Sequence, residues 1–429
     1  MRRNWGKKVL MSGLVASMLC GLAGPLNVSA DDVTTVEYLF WGNQSEINTI
    51  MGTIDAFNES HTDIQVKGTG IDPSVYLQKL SAYASSNTLP DIVQVAVDYG
   101  DEYTKKGMFE PLDGMIENAG LKDLVEDNLW EGLSYEDQIY AVPLQASACV
   151  MVGNKKLFEE AGLEFPTESW TEEEFRDAAV KMTDESKGQY GVMLGAGVID
   201  WGRAIYGNGE TQIYDWNAKK MQATDNDALY HIWDLWINDL MLNEKAAPAV
   251  LNSKDIGGGF ETGKYGMALI GFWDIAEIHK VVQDSFEWDL IPLPTNETYG
   301  QWRTQMYANA LSISANSEKK DAAFEYIKWT LENRDIQTNS VSLPVNKEIS
   351  GDAEFLNEFA DGAKHFNKQL ALDALANSVT WRNTGTVAEI NNNVIKPEIE
   401  RLILKPDSTD LKTVLENIQT EGQKIFDAE

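Results

Sequence analysis

From Val36 to Val97 the hydrophobic pattern switches repeatedly between the period of a strand and that of a helix. Val36 to Phe40 reads as a β-strand running into a strand-to-helix turn, Trp41-Gly42-Asn43-Gln44. Ile47, Ile50, Met51, Ile54 and Phe57 then recur at spacings of three and four, which line one helical face, with Ser45 as the predicted N-cap. Ile64 to Val66 restarts a strand. Tyr76, Leu77, Leu80 and Tyr83 form a second helical stripe, and Pro90-Asp91 opens Ile92 to Val97, an apolar run suited to a buried parallel strand. Strand, helix, strand, helix, strand is the signature of α/β alternation around a parallel sheet.

The alternation weakens after Val142-Pro143. The next clear pattern is helical and aromatic: Tyr230, Trp233, Leu235, Trp236 and Leu240. Sheet-like runs return at Tyr265 to Gly271 and Trp288 to Leu293, followed by a short strand from Leu311 to Ser314. Ala322, Phe324, Ile327 and Leu331 mark one more helix, and the C-terminal hundred residues read mostly as helix. No short repeat and no low-complexity linker divides the chain. Two lobes joined by several short crossings fit this order better than two domains on a string.

The N-terminus has a different character. Arg2, Arg3, Lys7 and Lys8 precede an apolar run, Val9 to Leu19, and Val28-Ser29-Ala30 offers a small-residue cleavage site before Asp31-Asp32. This is the layout of a secretory signal peptide, expected to be cut after Ala30. Cys20 follows Leu19 rather than a small residue, so simple cleavage is expected over lipid anchoring. Cleavage would leave Cys149 as the sole cysteine and exclude an internal disulfide.

Charge narrows the possible partners. The 429 residues carry 35 Lys and Arg against 67 Asp and Glu, a formal charge of −32, and cleavage would remove four basic side chains and no acidic ones. Nucleic-acid backbones and anionic lipid surfaces would repel such a chain. Catalytic and cofactor motifs are expected to be absent. Gly258 to Tyr265 approaches a phosphate-binding loop, but Tyr265 stands where a magnesium-ligating Ser or Thr is needed. Gly68-Thr69-Gly70 lacks the third glycine of a dinucleotide fingerprint. No G-x-S-x-G elbow occurs. His61, His231, His279 and His365 are far apart, and Asp225-Asn226-Asp227 lacks the rest of a calcium loop. No catalytic residues, metal ligands or cofactors are predicted.

The positive signal is aromatic. Twelve of thirteen Trp follow the leader segment. Trp41, Trp273, Trp302 and Trp381 each adjoin polar residues: Asn43 and Gln44, Asp274, Arg303, and Arg382 with Asn383. A sugar ring offers an apolar C–H face and a rim of hydroxyls, so flat aromatics beside amides, carboxylates and guanidinium groups suit a carbohydrate site. Each such Trp can equally be core packing with a polar neighbour. Trp170, Trp233, Trp236 and Trp329 fall on helix faces and are expected in the core.

In order along the chain, several segments carry a resemblance. They are Phe40-Trp41-Gly42; Leu89-Pro90-Asp91-Ile92-Val93, running on to Asp98; Gly107 to Leu112; Ile139 to Pro143; Asn154 to Phe158 with Ala161-Gly162-Leu163, Pro166 and Trp170; Gly263 to Met267; Gly271-Phe272-Trp273; and Leu343-Pro344-Val345. Together they resemble the family-1 extracellular solute-binding proteins of ABC importers, the group that includes maltodextrin-binding protein. The chain departs from the family pattern at Gly153, where an aromatic is usual, and at Phe272, which replaces a Pro.

The resemblance implies an α/β fold of two lobes, a periplasmic-binding-protein or Venus flytrap fold with three hinge crossings near Val142, Leu293 and Asn333. Residues 31–142 with 294–333 would form the N-terminal lobe, and 143–293 with 334–429 the C-terminal lobe. Carried onto matching motifs, the expected binding residues are Trp41, Asn43, Gln44, Asp98 and Tyr99, with Trp273 as the main stacking platform beside Asp274. Trp381 with Arg382 would be a second platform, and Tyr307 and Asn309 rim contacts. Asp200 and Trp201 are added on chemistry alone. The expected function is capture of a sugar, favouring an oligosaccharide, and its delivery by an exported monomer to membrane permease subunits. A ligand-sensing component of the same fold and a secreted glycoside hydrolase with paired carboxylates are the alternatives.

Overall fold

The computed structural model describes residues 33–193, 213–215, 218–249, 258–338, 342–357, 367–380 and 385–428. The leader segment, Asp200, Trp201, Trp381 and Arg382 lie outside them.

The opening alternation folds as its periods predict. Strand β1 (Thr34–Trp41) leads through Gly42 and Asn43 into helix α1 (Gln44–Ser60), then β2 (Ile64–Ile71), α2 (Pro73–Ser86) and β3 (Ile92–Ala96). The start of α1 differs from the expected Ser45 cap. Asn43 caps it: its Oδ1 accepts from the Glu46 N–H at 3.1 Å, while Glu46 Oε2 accepts from the Asn43 N–H at 2.7 Å. Two of the orphan donors of the first turn are thereby satisfied reciprocally. In α2, Asp72 accepts from the Ser74 N–H, and Pro73 occupies a first-turn position where no N–H is needed.

The long strand β4 (Val142–Asn154) organises the rest of the sheet. After it come helix α3 (Glu172–Lys181), strand β5 (Tyr190–Met193), helix α4 (Asp227–Trp233), strands β6 (Tyr265–Gly271), β7 (Trp288–Ile291) and β8 (Gln305–Ile313), and helix α5 (Lys320–Glu332). A π-helical stretch, Asp234–Asn243, continues α4. Gly191 lets β5 lie against α3: a Cβ there would stand 1.7 Å from the Ala179 carbonyl oxygen.

The strand order is β2-β1-β3-β8-β4-β6-β5, with β7 also paired to β4. β1 is parallel to β2 and β3, whereas β8 runs antiparallel to both β3 and β4. Within β4 the partners change. Val142 to Ala148 pairs with β8, while Cys149 to Asn154 pairs with β6 and β7. One strand therefore belongs to two sheet halves, each with its own helices. On the first half, Tyr326 of α5 packs on Tyr38 of β1 and on Phe57 of α1, with ring centroids 5.7 and 5.1 Å apart. On the second, Phe175 of α3 packs against Trp170, Trp236 and Trp302.

The C-terminal segment is helical and returns to the sheet once. Strand β9 (Val379–Thr380) runs parallel to the start of β8, pairing Val379 with Gln305. The last helix, Leu411–Ala428, holds the hairpin near Met221, whose N–H donates to Gln423 Oε1 at 2.9 Å. Among the described residues no helix is long and apolar enough to cross a membrane.

Candidate functional site: the junction of the two sheet halves

Parallel strands direct their carboxyl ends to one edge of a sheet, and ligands of open α/β folds bind beyond that edge, where strand order reverses. Here β1 and β3 end together, at Trp41 and at Ala96-Val97-Asp98-Tyr99. The half-buried Trp41 ring packs on Tyr76, 4.9 Å away, and on Tyr99, 6.0 Å away. Tyr76 is fixed from below, because its hydroxyl donates to the Gln94 carbonyl oxygen at 2.6 Å. Burial holds the Tyr99 phenol well above its ordinary range, so it stays a neutral O–H.

The antiparallel return of β8 brings Tyr307 and Asn309 to the same edge. Asn309 pairs with Ala96, and the Val97 N–H donates to the Ala308 carbonyl at 3.1 Å. Asp98 lies in the turn that follows, between Val97 and Tyr99 at the same strand end. Burial raises the Asp98 carboxyl to about 6, and the Asp101 charge adds to the shift. Strand β8 is longer than the predicted Leu311 to Ser314, so Tyr307 and Asn309 lie on the strand itself rather than before it.

The second half supplies Trp273, two residues beyond the end of β6. Its ring meets Tyr307 edge to face, with centroids 4.8 Å apart and planes at 83°. The ring folds back over Gly271, where a Cβ would lie 2.2 Å from indole carbons. Asp274 closes the turn beneath it, its Oδ2 accepting from the Gly271 N–H at 3.2 Å. Trp41, Asp98, Tyr99, Tyr307, Asn309 and Trp273 are thus gathered at one junction. Asn43 and Gln44 sit at the β1 exit with hydrogen bonds along α1: Asn43 caps it, and Gln44 Nε2 donates to Asn48 Oδ1 at 3.0 Å. Strand β9 ends at Thr380, immediately before Trp381.

Trp302 takes the core alternative of the two readings open to it. It is 1% exposed, sealed against Phe175 and Trp236, and its indole N–H donates to Glu172 Oε2 at 2.8 Å. Arg303 is committed as well, donating to the backbone oxygens of Asn377 and Ser378. Its charge anchors the returning C-terminal segment. Of the Trp expected on helix faces in the core, Trp233 and Trp236 are buried, Trp170 is buried but precedes helix α3 rather than lying on a helix, and Trp329 is half-buried against Phe57.

Gln145 and Ser147 of β4 were not anticipated. They pair with Asn309 and Tyr307 and so share their face of the sheet. Their only signal in the sequence is a polar side chain at alternate positions within Ala146 and Ala148, too weak to mark a strand. Among the described residues no group of three or more His, Cys, Asp or Glu is placed to hold a metal ion.

Known proteins share this architecture. The sequence profile of the bacterial extracellular solute-binding proteins matches residues 41–335. The mannitol-binding protein of Pseudomonas aeruginosa is 25% identical over 321 residues, covering 72% of this chain and 71% of that protein. The sugar-binding protein MalE from Xanthomonas citri superposes with a TM-score of 0.79 at 16% identity, covering 92% of this chain and 98% of the other. The cyclic α-maltosyl-1,6-maltose binding protein from Arthrobacter globiformis superposes at 0.77 with 20% identity, covering 92% of this chain and all of the other. At these identities the two structures speak for the two-lobe fold.

Proposed function

This chain belongs to the bacterial extracellular solute-binding proteins, and from that premise we propose that it captures a sugar between its lobes and hands it to the permease of an ABC importer. The observation that carries the reading is the junction itself. Aromatic faces from both sheet halves, Trp41 with Tyr99 and Trp273 with Tyr307, flank a strip of amide, hydroxyl and carboxylate groups. Stacking on the aromatics supplies apolar contact to a sugar ring, and the polar strip reads its hydroxyls. Sugar binding in proteins of the same family, such as the multiple sugar-binding protein of Streptococcus mutans, supports the choice of cargo.

In this reading the lobes are the two sheet halves, the chain first passing between them within β4, after Ala148, rather than near the expected Val142, and ligand stabilises a closed form by touching both. The protein acts as an exported monomer. It binds without chemistry, since a separate motor would supply the energy of transport. Asp98, whose carboxyl burial raises to about 6, is suited as a carboxylate to accepting a hydrogen bond from a ligand hydroxyl.

A thermal-shift screen against mannitol and neutral mono- to trisaccharides tests the proposal, with Trp273→Ala run in parallel. A sugar at ~100 times its dissociation constant adds about 2.7 kcal/mol of stability, visible as a higher melting temperature. A shift with one sugar class that disappears in the variant is the expected result. A protein indifferent to every sugar but shifted by an amino acid or a peptide would keep the fold and remove the carbohydrate reading.

A further inference from the structure

We propose that Gln145 and Ser147, on the strand shared by both sheet halves, are the specificity-determining residues that read the hydroxyls of a neutral sugar held at Trp273. The inference rests on the sugar-binding reading above and adds to it the residues that select the cargo. It starts from the two faces of the β3-β8-β4 ladder. In-register partners in an antiparallel sheet point to the same side. Ala96, Asn309 and Gln145 therefore share one face with Ser147 and Tyr307. The opposite face carries Val95, Val97, Met306, Ala308, Ala310, Ala146 and Ala148, all buried. One face is core, and the other is a polar strip beneath the aromatic platforms.

A β-bulge puts Gln145 on that strip. Leu311 pairs with Val142 and Ala310 with Pro143, yet Asn309 pairs with Gln145, so Leu144 is the extra residue. An unbroken strand would have set Leu144 opposite Asn309. The extra residue reverses the alternation and turns an amide to the face an aliphatic side chain would otherwise occupy. The bulge is secured from behind. The buried Gln337 donates to the Leu144 carbonyl at 3.1 Å and to the Thr330 carbonyl at 3.0 Å, and accepts from the Val345 N–H at 2.9 Å.

Ser147 supplies the second observation. It is 3% exposed, and its Oγ has no hydrogen-bond partner among the described residues. It sits opposite Tyr307, whose ring packs against Trp273. Trp273 in turn stands over Gly271, the partner of Cys149, two residues along β4 from Ser147. A buried hydroxyl without a partner destabilises the protein that carries it, and a ligand hydroxyl arriving beneath Trp273 would relieve that. Arg303 donates to the Asn377 and Ser378 carbonyls. The chemistry is that of a neutral polyhydroxyl ligand, with uronates disfavoured by Asp98.

The stability of the unliganded protein separates this role from a structural one. Ser147→Ala removes an unsatisfied group, so its melting temperature without ligand should equal or exceed that of the wild type. Its affinity for the best-binding neutral sugar, drawn from mannitol, maltotriose and simple mono- and disaccharides, should fall on the order of tenfold by calorimetric titration. Gln145→Leu should weaken the same sugar at least as much and change the preference between epimers, while glucuronate should bind the wild type more weakly than its neutral counterpart. Wild-type affinities in both variants would overturn the proposal while leaving the sugar reading intact. A loss of affinity matched by a lower unliganded melting temperature in Ser147→Ala would show a packing role and overturn it as well. Wild-type protein that binds no sugar at all removes both.

Discussion

Two aromatic clusters dominate the region around the second sheet half, and they differ in what surrounds their indoles. Trp302 lies among Phe175, Trp236 and Glu172 in a sealed interior. Its N–H shares the Glu172 carboxylate with the Asn296 amide, which donates at 3.0 Å, and with the His231 ring. Trp273, twenty-nine residues earlier, stands at a strand end, half-buried, with one edge on Tyr307 and a glycine beneath it. Both follow a β-strand or hairpin, and both sit beside a charged residue. The difference is where their polar neighbours are satisfied. The Trp302 indole, the Asn296 amide and the His231 ring all meet one buried carboxylate that ties helix α3 to the Thr295–Gln301 hairpin, part of the link from β7 to β8. Around Trp273 the polar strip of β8 and β4 retains a hydroxyl, that of Ser147, with no partner among the described residues. An indole whose N–H joins a buried carboxylate network serves the fold, whereas a half-buried ring at a strand end beside an unsatisfied hydroxyl is placed for an incoming partner.

The comparison breaks most sharply under truncation. Trp302→Ala should cost about 3–5 kcal/mol of stability in denaturant unfolding, from the cavity and from the donor withdrawn from Glu172. Trp273→Ala should cost about 1 kcal/mol and act mainly on ligand affinity. Equal losses of stability in the two variants would erase the distinction.

A smaller change sharpens it from the binding side. Gly271→Ala places a methyl group where the Trp273 ring now lies, and its backbone conformation is one that alanine adopts readily. The ring must move, so affinity should drop on the order of tenfold with a melting temperature within a few degrees of wild type. An unchanged affinity would mean that the position of this platform does not matter to the ligand.

The smallest effects are those of pH. Bonding to Glu172 raises the His231 pKa above its ordinary value of 6.5. The folded state therefore holds this proton more tightly than the unfolded one, and the gain is complete below the unfolded value. It is lost as pH rises through the folded value. Burial raises Asp98 from 3.8 to about 6, so stability also falls as pH rises across that lower window. Melting temperatures measured from pH 4 to 8 should decline through both. Asp98→Asn should flatten the lower part and His231→Gln the upper. Profiles unchanged by either substitution would show that neither group titrates as its surroundings dictate.

Much of the fold was legible because burial and period coincide where an amphipathic element has one partner. Ile47, Ile54 and Phe57 lie on the inward face of α1, and Tyr265 to Gly271 forms a fully buried strand, both as their spacing predicts. Strand β4 was not legible. Its centre, Ala146-Ser147-Ala148-Cys149, is built of small residues without β-branching, and Pro143 argues against a central strand until the bulge beside it is seen. The site followed the same division. Trp41, Asp98, Tyr99 and Trp273 could be singled out because they end predicted strands or sit on motifs. Trp302 could not be told from Trp273, because the sequence neighbours of an indole do not reveal whether its N–H meets a buried carboxylate.

By itself, the order of residues determined the α/β alternation, the helix faces and the aromatic, acidic character of the chain, because these depend on local period and composition. Which strands pair, where β4 changes partners and which indoles stay at a surface were decided only by tertiary structure. These depend on contacts between residues far apart in sequence, such as Ser147 with Tyr307 and Glu172 with Trp302. The register of a sheet turns on single residues: one extra position at Leu144 exchanges an aliphatic side chain for an amide on the strip beneath Trp273, and no local pattern records it.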